Sequence, residues 1–206
     1  MNSSINEKIK KRYNRVSGIY DMMDKMMKED WRKDLLKQVS GKVLEAGVGT
    51  GANLSYYPLE VHSLTGIDFS PGMLKIAREK LKAKELPFPV ELIEADIQDL
   101  PFTDNTFDSI VSTCVFCSVP DPIKGLKELR RVCKPEGRIY MLEHMRSENK
   151  VAGVVMDALN PLTVRMWGAN INRETVKNIE KSGLQVEKIE NLMGTVVRRI
   201  VLTPNK

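Results

Sequence analysis

The stretch VLEAGVGTGANLSYYP, residues 43–58, decides how this chain folds. A short apolar run containing one acid, Glu45, leads directly into three glycines that alternate at Gly47, Gly49 and Gly51. An apolar run of this length predicts a buried strand. Glycines allow the backbone to turn tightly and allow a ligand to lie against it. The stretch therefore predicts a strand that ends in a ligand-binding turn.

Strands and helices alternate on both sides of this turn. ANLSYYP predicts a helix that ends at Pro58, and SPGMLKIAREKLKAKEL predicts one with Ser70 as N-cap and Pro71 at the first helical position. Such alternation predicts a parallel sheet with helices on both faces. A closing hairpin around Met193 and Gly194 predicts one antiparallel strand near the C-terminus. The strands predicted before the hairpin are KVLEAG, SLTGID, VELIEAD, FDSIVSTCVF and GRIYMLEH.

Size and composition point to one globular domain. The chain has 206 residues, of which 42% are hydrophobic and 29% are charged. Its N-terminal stretch MNSSINEKIKKRYNR lacks the apolar run of a secretory signal, and the most apolar stretch, residues 151–168, is interrupted by Asp157, Pro161 and Arg165. Three cysteines do not make a disulfide framework. We therefore expect a single cytoplasmic domain without a spanning helix.

Charge is unevenly distributed along the chain, whose net charge is +5. Residues 1–40 and residues 146–206 each carry 10 Lys and Arg against 6 Asp and Glu, whereas residues 41–145 carry 12 against 15. Basic flanks attract anionic lipid, nucleic acid or an acidic substrate, and a solvated lysine surface produces the same pattern. Charge alone leaves these alternatives open.

Two acids stand at the carboxyl ends of the next two predicted strands. In open α/β sheets ligands bind at that edge, so Asp68 and Asp96 could accept hydrogen bonds from ribose hydroxyls and from an adenine amino group. Each could instead cap a helix or close a turn. Gly47, Gly49 and Ala52 also satisfy the dinucleotide pattern G-x-G-x-x-G/A. The glycines alone therefore do not separate NAD from another adenosine cofactor.

In combination these segments resemble the class I S-adenosylmethionine-dependent methyltransferases. LEAGVGTG is similar to the first motif of that family, GIDFSPGMLKIARE to the second, EADIQDLPFTDNTFDSIVST to the adenine loop and fourth strand, and ELRRVCKPEGRIYMLEH to the helix and fifth strand. The resemblance spans roughly residues 40–145. One departure is Pro135-Glu136-Gly137, where the family usually has Pro-Gly-Gly. The resemblance implies an α/β, Rossmann-like fold with a seven-stranded, mostly parallel sheet, helices on both faces, an antiparallel last strand, and S-adenosyl-L-methionine as cofactor.

The resemblance also implies which residues hold the methyl donor. Gly47 and Gly49 would lie beside its amino-acid part. Asp68 would bind the ribose, and Asp96 would bind the adenine. Further implied contacts are Tyr20 of an N-terminal Tyr-Asp pair, the adenine-pocket residues Phe69, Met73 and Ile97, the sulfonium-end residues Cys114 and Val115, and the residues Glu45, Gly51 and Asn53 of the first motif.

Segments outside the donor-binding core of residues 41–145 would choose the acceptor. Residues 1–40 are predicted as a helical lid that Ser40 and Gly41 end, residues 146–175 as a substrate-side insertion, and residues 176–206 as a closing helix and hairpin. Soft apolar side chains in the first two segments, or directly next to them, favour a small or lipophilic acceptor, met at an anionic membrane surface. They are Met22, Met23, Met26, Met27, Met145, Met156, Met166 and Trp167.

Three subfamilies resemble parts of this chain. YNRVSGIYDMMDKMMKEDWR is similar to the ubiquinone/menaquinone C-methyltransferases, which usually have EFS where this chain has Glu143-His144-Met145. EAGVGTGANLSYYP and RRVCKPEGRI resemble bacterial phospholipid N-methyltransferases. CSVPDP, LEHMRSE and LNPLTVRMWGANINRETVKNIEKSG resemble the animal membrane-associated thiol methyltransferases. A phospholipid amine or a thiol is therefore the expected acceptor, with quinone C-methylation as the alternative.

His144, at the end of the fifth predicted strand, is the candidate catalytic base, because an imidazole can take a proton from a thiol or hydroxyl. Alternatively, His144 could have a purely structural role and form hydrogen bonds at the end of the sheet.

Cys114 and Cys117 have the spacing of a metal or redox pair, but Cys133 is the only further cysteine and we expect no metal. A non-catalytic donor-binding module is a further alternative. A nucleic-acid acceptor is not expected, because FDSIVST is not followed by an Asn/Asp-Pro-Pro-aromatic motif. The oligomeric state is left open.

Overall fold

The computed structural model of the protein describes residues 27–167 and 169–206. Seven strands form one sheet, in the order β3-β2-β1-β4-β5-β7-β6. Their bounds are β1 (Gly41–Ala46), β2 (Val61–Asp68), β3 (Val90–Glu94), β4 (Phe107–Thr113), β5 (Cys133–His144), β6 (Gln185–Met193) and β7 (Val197–Thr203). The helices are α1 (Glu29–Leu36), α2 (Pro71–Ala83), α3 (Pro122–Val132), α4 (Lys150–Trp167) and α5 (Thr175–Ser182), with one 3-10 turn at Leu54–Tyr56.

The strand directions confirm the predicted fold class. β1 to β5 pair in parallel, and β7 runs antiparallel to both β5 and β6. The chain runs outward from β1 through β2 to β3 and then crosses to β4, on the other side of β1. The carboxyl ends of β1 and β4 therefore form the switch point, where open sheets leave a crevice for a ligand.

Apolar clusters on the two faces of the sheet make up the core. Val43 and Leu44, which are neighbours in β1, belong to different clusters, since successive strand residues point to opposite faces. The Leu44 cluster includes Leu126 of α3 and Ile179 of α5, and the Val43 cluster includes Leu74 of α2. Helices thus cover both faces, as the alternation predicted.

Local signals placed α2 correctly. The Ser70 hydroxyl accepts a hydrogen bond from the Met73 amide at 3.3 Å, and Pro71 takes the first helical position. The start of α2 is therefore fixed directly after the acid that ends β2.

Two helix predictions were wrong in extent. The helix expected in ANLSYYP is only the 3-10 turn Leu54–Tyr56, because Asn53 and Tyr57 both bond the Glu45 carboxylate and hold the segment across the end of β1. The described part of the helix expected up to Ser40 ends at Leu36. Of the helices in residues 27–167 and 169–206, none is long and apolar enough to cross a bilayer.

Candidate functional site

The glycine turn after β1 leaves an open cradle beside the backbone. Gly47, Gly49 and Gly51 have positive φ values of 80°, 56° and 80°. A Cβ on Gly49 would meet nothing within 4 Å, whereas a Cβ on Gly51 would meet the Leu54 side chain at 2.5 Å and a Cβ on Gly47 would run into Val115. Of the three glycines, Gly49 keeps space open and the other two permit close packing.

Asp68 joins the end of β2 to this turn. Its Oδ2 accepts a hydrogen bond from the Gly49 amide at 3.0 Å, and its Oδ1 accepts one from the Ser70 amide at 2.9 Å. Burial raises the pKa of the Asp68 carboxyl to about 6, although these amide hydrogen bonds oppose the shift. A carboxylate held in this way has lone pairs left for ligand hydroxyls.

Asp96, after β3, is held in a similar way by Gln98. Its Oδ1 accepts from the Gln98 amide at 2.9 Å and from the Gln98 side chain at 3.0 Å. The Gln98 Oε1 in turn accepts from the Asp121 amide at 2.9 Å, where α3 begins. Gln98 was not singled out in the sequence, and it fixes the Asp96 carboxylate at the cleft wall.

A buried polar network closes the opposite end of the site. Asn53 Nδ2 donates to Glu45 Oε1 at 2.8 Å and to Thr113 Oγ1 at 3.0 Å. Tyr57 donates to Glu45 Oε2 at 2.9 Å. The Arg32 guanidinium, which α1 supplies, donates to Asn53 Oδ1 at 2.8 Å. This end therefore presents a carboxylate, an amide and a guanidinium within one network.

Arg32 was missed by sequence reasoning because it precedes the recognised motifs. It lies in a run of alternating charges, EDWRKD, that is typical of a solvated helix. Only its burial and its bond to Asn53, 21 positions away, distinguish it from its neighbours.

The segment after β4 forms the third wall. Cys114 has φ of 55°, a conformation that non-glycine residues adopt rarely and mostly at functional sites. Its amide donates to the Leu142 carbonyl at 2.9 Å, and Cys117 Sγ donates to the Cys114 carbonyl at 3.4 Å. These bonds turn Cys114 and Val115 toward the glycine turn, where both line the cleft.

Glu143, near the end of β5, holds this wall from behind. Its Oε1 accepts from Ser112 Oγ and from the Val115 amide, each at 3.1 Å. Its Oε2 is buried and has no hydrogen-bond partner among the described residues. Burial raises the pKa of Glu143 to about 7. The candidate base predicted from the sequence was its neighbour, His144.

Together the strand ends enclose a cleft of about 920 Å³, its open mouth included. The structure brings most of the predicted residues together here. The predicted residues that line the cleft are Glu45, Gly47, Gly49, Asn53, Asp68, Phe69, Met73, Asp96, Ile97, Cys114 and Val115.

Two predicted site residues lie elsewhere. His144 is not among the residues that line the cleft, since it points to the face of β5 opposite Glu143 and pairs with Val197 of β7. Burial lowers its pKa, and its position outside the cleft lining does not support a catalytic role. Gly51 faces Leu54 and Ala77 and serves packing behind the turn.

Four of the methionines expected to wall the acceptor lie outside the lining of this cleft. Met27, Met145, Met156 and Met166 do not line the cleft. Met145 is buried in the core and Met166 is exposed on α4. Tyr20, Met22, Met23 and Met26 lie outside the described residues.

Comparison with known proteins identifies the family. Residues 44–141 match a family profile described as a methyltransferase domain. A phosphatidylethanolamine N-methyltransferase of Cereibacter sphaeroides is 37% identical over 145 residues, which are 69% of this chain and 71% of that protein. The chain belongs to the S-adenosylmethionine-dependent methyltransferases.

Two further relatives are named as methyltransferases of quinone biosynthesis. The ubiquinone/menaquinone biosynthesis C-methyltransferase UbiE of Geotalea daltonii is 31% identical to this chain over 148 residues, which are 66% of this chain and 63% of that protein. A demethylmenaquinone methyltransferase of Listeria welshimeri is 34% identical over 154 residues, 69% and 65% respectively. This chain therefore spans less than two thirds of the length of each of these two relatives.

Solved structures show the same fold. An S-adenosylmethionine-dependent methyltransferase of Thermotoga maritima superposes with a TM-score of 0.69 at 21% identity, over 94% of this chain and 98% of that one. A second, from Aquifex aeolicus, superposes with a TM-score of 0.60 at 22% identity, over 84% and 87%. These neighbours confirm the Rossmann-like fold that the sequence predicted. S-adenosylmethionine is the cofactor, because the chain belongs to the S-adenosylmethionine-dependent methyltransferases.

Proposed function

We propose that the cleft at the switch point binds S-adenosylmethionine and that the protein transfers its methyl group to the amine of a phospholipid. The residues that line the cleft fit the chemistry of this donor. Asp68 offers lone pairs for two ribose hydroxyls, and Ile97 and Met73 form an apolar pocket for the adenine beside Asp96. The open space beside Gly49 takes the bulky chain that joins the two ends of the donor.

The amino-acid end of the donor is assigned to the network around Asn53. The Arg32 guanidinium complements a carboxylate, and Glu45 complements an ammonium group. Arg32 and Glu45 are both buried, so a ligand that carries both charges meets them in a largely water-free environment. Cys114 and Val115 would then flank the sulfonium, facing the acceptor.

When bound, S-adenosylmethionine supplies an electrophilic methyl group on a sulfonium, so that transfer breaks the C–S bond, leaves its electron pair on sulfur, forms a bond to the amine nitrogen and releases an amine proton to water. The chain itself orients the two reactants and excludes water. Alignment of this kind is worth up to about 7–11 kcal/mol. An amine brings its own lone pair, so the transfer proceeds without His144, which lies outside the cleft lining.

One observation carries the acceptor class. The relative that is named a phosphatidylethanolamine N-methyltransferase is 37% identical and is matched over 71% of its length. Quinol carbon, as in the two quinone relatives, and a thiol are the competing acceptors.

We further propose that the acceptor is met at an anionic membrane surface, which the basic flanks of residues 1–40 and 146–206 favour. In this proposal the chain is a single domain, with residues 1–40 as the lid, residues 41–145 as the donor-binding core to which Arg32 of the lid adds one contact, residues 146–175 as the substrate-side insertion and residues 176–206 as the closing helix and hairpin. Residues 1–26 of the proposed lid lie outside the described residues.

The test is an acceptor panel with radiolabelled methyl donor. Purified protein is given phosphatidylethanolamine in mixed micelles, demethylmenaquinol, an alkyl thiol, or phosphatidylcholine as the matched lipid without a free amine. Label should enter the phosphatidylethanolamine product alone. If label enters only the quinol or only the thiol, the proposed phospholipid acceptor is wrong and that compound class is the acceptor. Donor binding by calorimetry without label transfer to any acceptor would favour a non-catalytic donor-binding module.

A further inference from the structure

Helix α4 exposes an apolar face that the donor cleft does not use. In the part of the chain that the structure describes, nine large apolar side chains are exposed, and six of them belong to this one helix. Their exposed fractions run from 48% to 75%. A contiguous exposed apolar patch is typical of a surface that binds a protein or a membrane. The six are Val151, Val154, Val155, Leu159, Leu162 and Met166, called here the α4 stripe.

The stripe is continuous along the helix. At 3.6 residues per turn its six positions fall within an arc of about 140° and extend over most of the roughly 27 Å length of the helix. The opposite side faces the protein, where Gly153 is buried and the Met156 sulfur accepts from the Ser147 amide. The helix is therefore amphipathic with its apolar face turned outward, the reverse of a helix that packs on a core.

Polar bonds fix this orientation. Asn149 Oδ1 accepts from the amides of Val151 and Ala152 at 3.0 and 3.1 Å, which caps the start of the helix. Arg146 lies across the helix at Gly153 and binds Asp157 through both carboxylate oxygens, at 3.0 and 2.8 Å. The Asn149 bonds belong to the helix and turn with it, but rotation of the stripe toward the core would break the bonds of Asp157 to Arg146.

We propose that the α4 stripe is the surface by which the protein lies on an anionic lipid bilayer. The charges around it favour that occupant. Lys150 and Arg165 stand at the two ends of the helix, and its one acid, Asp157, is turned away to Arg146 and Asn172. Apolar side chains between cations match the boundary of acyl chains and anionic headgroups.

Other occupants suit these charges less well. Two copies stacked through α4 about a two-fold axis would place cation against cation, because Lys150 would face either Arg165 or itself. Residues 1–26 of the same chain carry 6 Lys and Arg against 3 Asp and Glu, so they too would bring positive charge to the stripe. An anionic bilayer is the partner whose charge is complementary.

The stripe is also connected to the cleft. The Asn170 amide and its side chain both donate to the Cys117 carbonyl, at 2.9 and 3.0 Å, in the segment that forms the third wall. Asn160 of α4 donates to Asn170 Oδ1 at 3.2 Å and accepts from the Ile171 amide at 2.9 Å. A bilayer against the stripe would bring lipid headgroups close to the mouth of the cleft. The role of the stripe in catalysis rests on the proposed lipid acceptor, whereas the vesicle-binding test below does not depend on it.

The test measures binding to vesicles that contain no amine acceptor. Full-length protein is sedimented with vesicles of phosphatidylglycerol and phosphatidylcholine, and with phosphatidylcholine alone, at about 0.15 M salt. We expect binding to the anionic vesicles. Leu162→Asp should lower the bound-to-free ratio at least tenfold, whereas Leu59→Asp, the same change at an exposed leucine far from α4 in sequence, should leave it unchanged. Unaltered S-adenosylhomocysteine affinity in both variants would show that each is folded.

Three results would overturn the proposal. The first is no binding of the wild-type protein to anionic vesicles, in which case methyl transfer to micellar phosphatidylethanolamine still decides the proposed function separately. The second is an equal loss in the two variants. The third is a stripe already covered in the free protein, detected as Met166 protected from peroxide oxidation without vesicles. In that case, release of the protection on dilution would identify a second copy, and its persistence would identify residues 1–26.

Discussion

Asp68 accepts the Gly49 amide through Oδ2 at 3.0 Å, so that the acid that ends β2 is joined directly to the glycine turn that ends β1. The bond sets the carboxylate beside the one glycine of the turn that leaves open space. The carboxylate proposed to bind the ribose and the space proposed to hold the donor therefore depend on the same hydrogen bond.

Substitution of Asp68 should weaken donor binding. Asp68→Asn keeps the shape but loses the charged acceptor, and a hydrogen bond to a charged group is worth about 1.5–3 kcal/mol. We expect the affinity for S-adenosylhomocysteine, measured by calorimetry, to fall about tenfold or more. Asp99→Asn, at an exposed position in the next loop, should have no effect. Equal affinities in the two variants would contradict the ribose assignment.

Donor affinity should fall in acid. The pKa of Asp68 is about 6 in the free protein, and the ribose hydroxyls bind the ionised form. Affinity is therefore full above about pH 6 and should drop, approaching tenfold per pH unit, as pH falls below it. Calorimetry between pH 5 and pH 8 measures this. In Asp68→Asn the decline should be absent, and a decline that persists there would point to another titrating group.

Two glycines of the turn should respond differently to alanine. Both have positive φ, so Gly49→Ala and Gly51→Ala share a similar backbone strain of about 1–2 kcal/mol. In Gly49→Ala the new methyl group occupies the donor cradle, so donor binding should fall at least tenfold with a small loss of stability. In Gly51→Ala the methyl group meets Leu54, which should add about 1–3 kcal/mol of destabilisation while donor binding is kept. Urea unfolding and calorimetry together distinguish the two patterns, and a reversed pattern would place the ligand behind the turn.

Arg32 should act only on the amino-acid end of the donor. Arg32→Met removes the guanidinium beside Asn53, so the affinity for S-adenosylhomocysteine should drop about tenfold or more. 5′-Methylthioadenosine, which lacks the amino-acid part, should bind the variant as it binds the wild type. A similar loss for both ligands would mean that Arg32 supports the cleft as a whole and makes no contact with the carboxylate.

Glu143 should make stability depend on pH. Its pKa is about 7 in the folded protein against 4.5 ordinarily, so the folded state holds a proton that the unfolded state has released. Its contribution to the free energy of unfolding is therefore present below about pH 4.5 and lost as pH rises through 7, by on the order of 3 kcal/mol. Relative to wild type, Glu143→Gln should gain stability by that amount between pH 4.5 and pH 8 in urea unfolding.

The matched control is Glu136→Gln, at an exposed glutamate near the start of the same strand. Its stability relative to wild type should not change with pH. A difference between Glu143→Gln and wild type that is the same at both ends of the pH range would show that Glu143 titrates normally.

The sequence by itself determined the fold and most of the cleft. Strand periodicity, the glycine turn and the cap at Ser70 are local signals, and parallel strands bring Gly49, Asp68 and Asp96 to one edge whatever the details of packing. This is why eleven of the thirteen predicted donor contacts line the cleft, the exceptions being Gly51 and Tyr20, of which Tyr20 lies outside the described residues.

Only the tertiary structure decided the rest. Whether a charged residue such as Arg32 is solvated or buried in a site depends on which helix packs over the strand end, and no pattern within EDWRKD carries that information. The choice between Glu143 and His144 depended on which face of β5 meets the segment after β4, since neighbouring strand residues point in opposite directions. The outward face of α4 likewise depends on the bonds of Arg146 to Asp157 and of Ile171 to Asn160, which fix how the helix is turned, because amphipathic periodicity shows that a face exists and not which way it points.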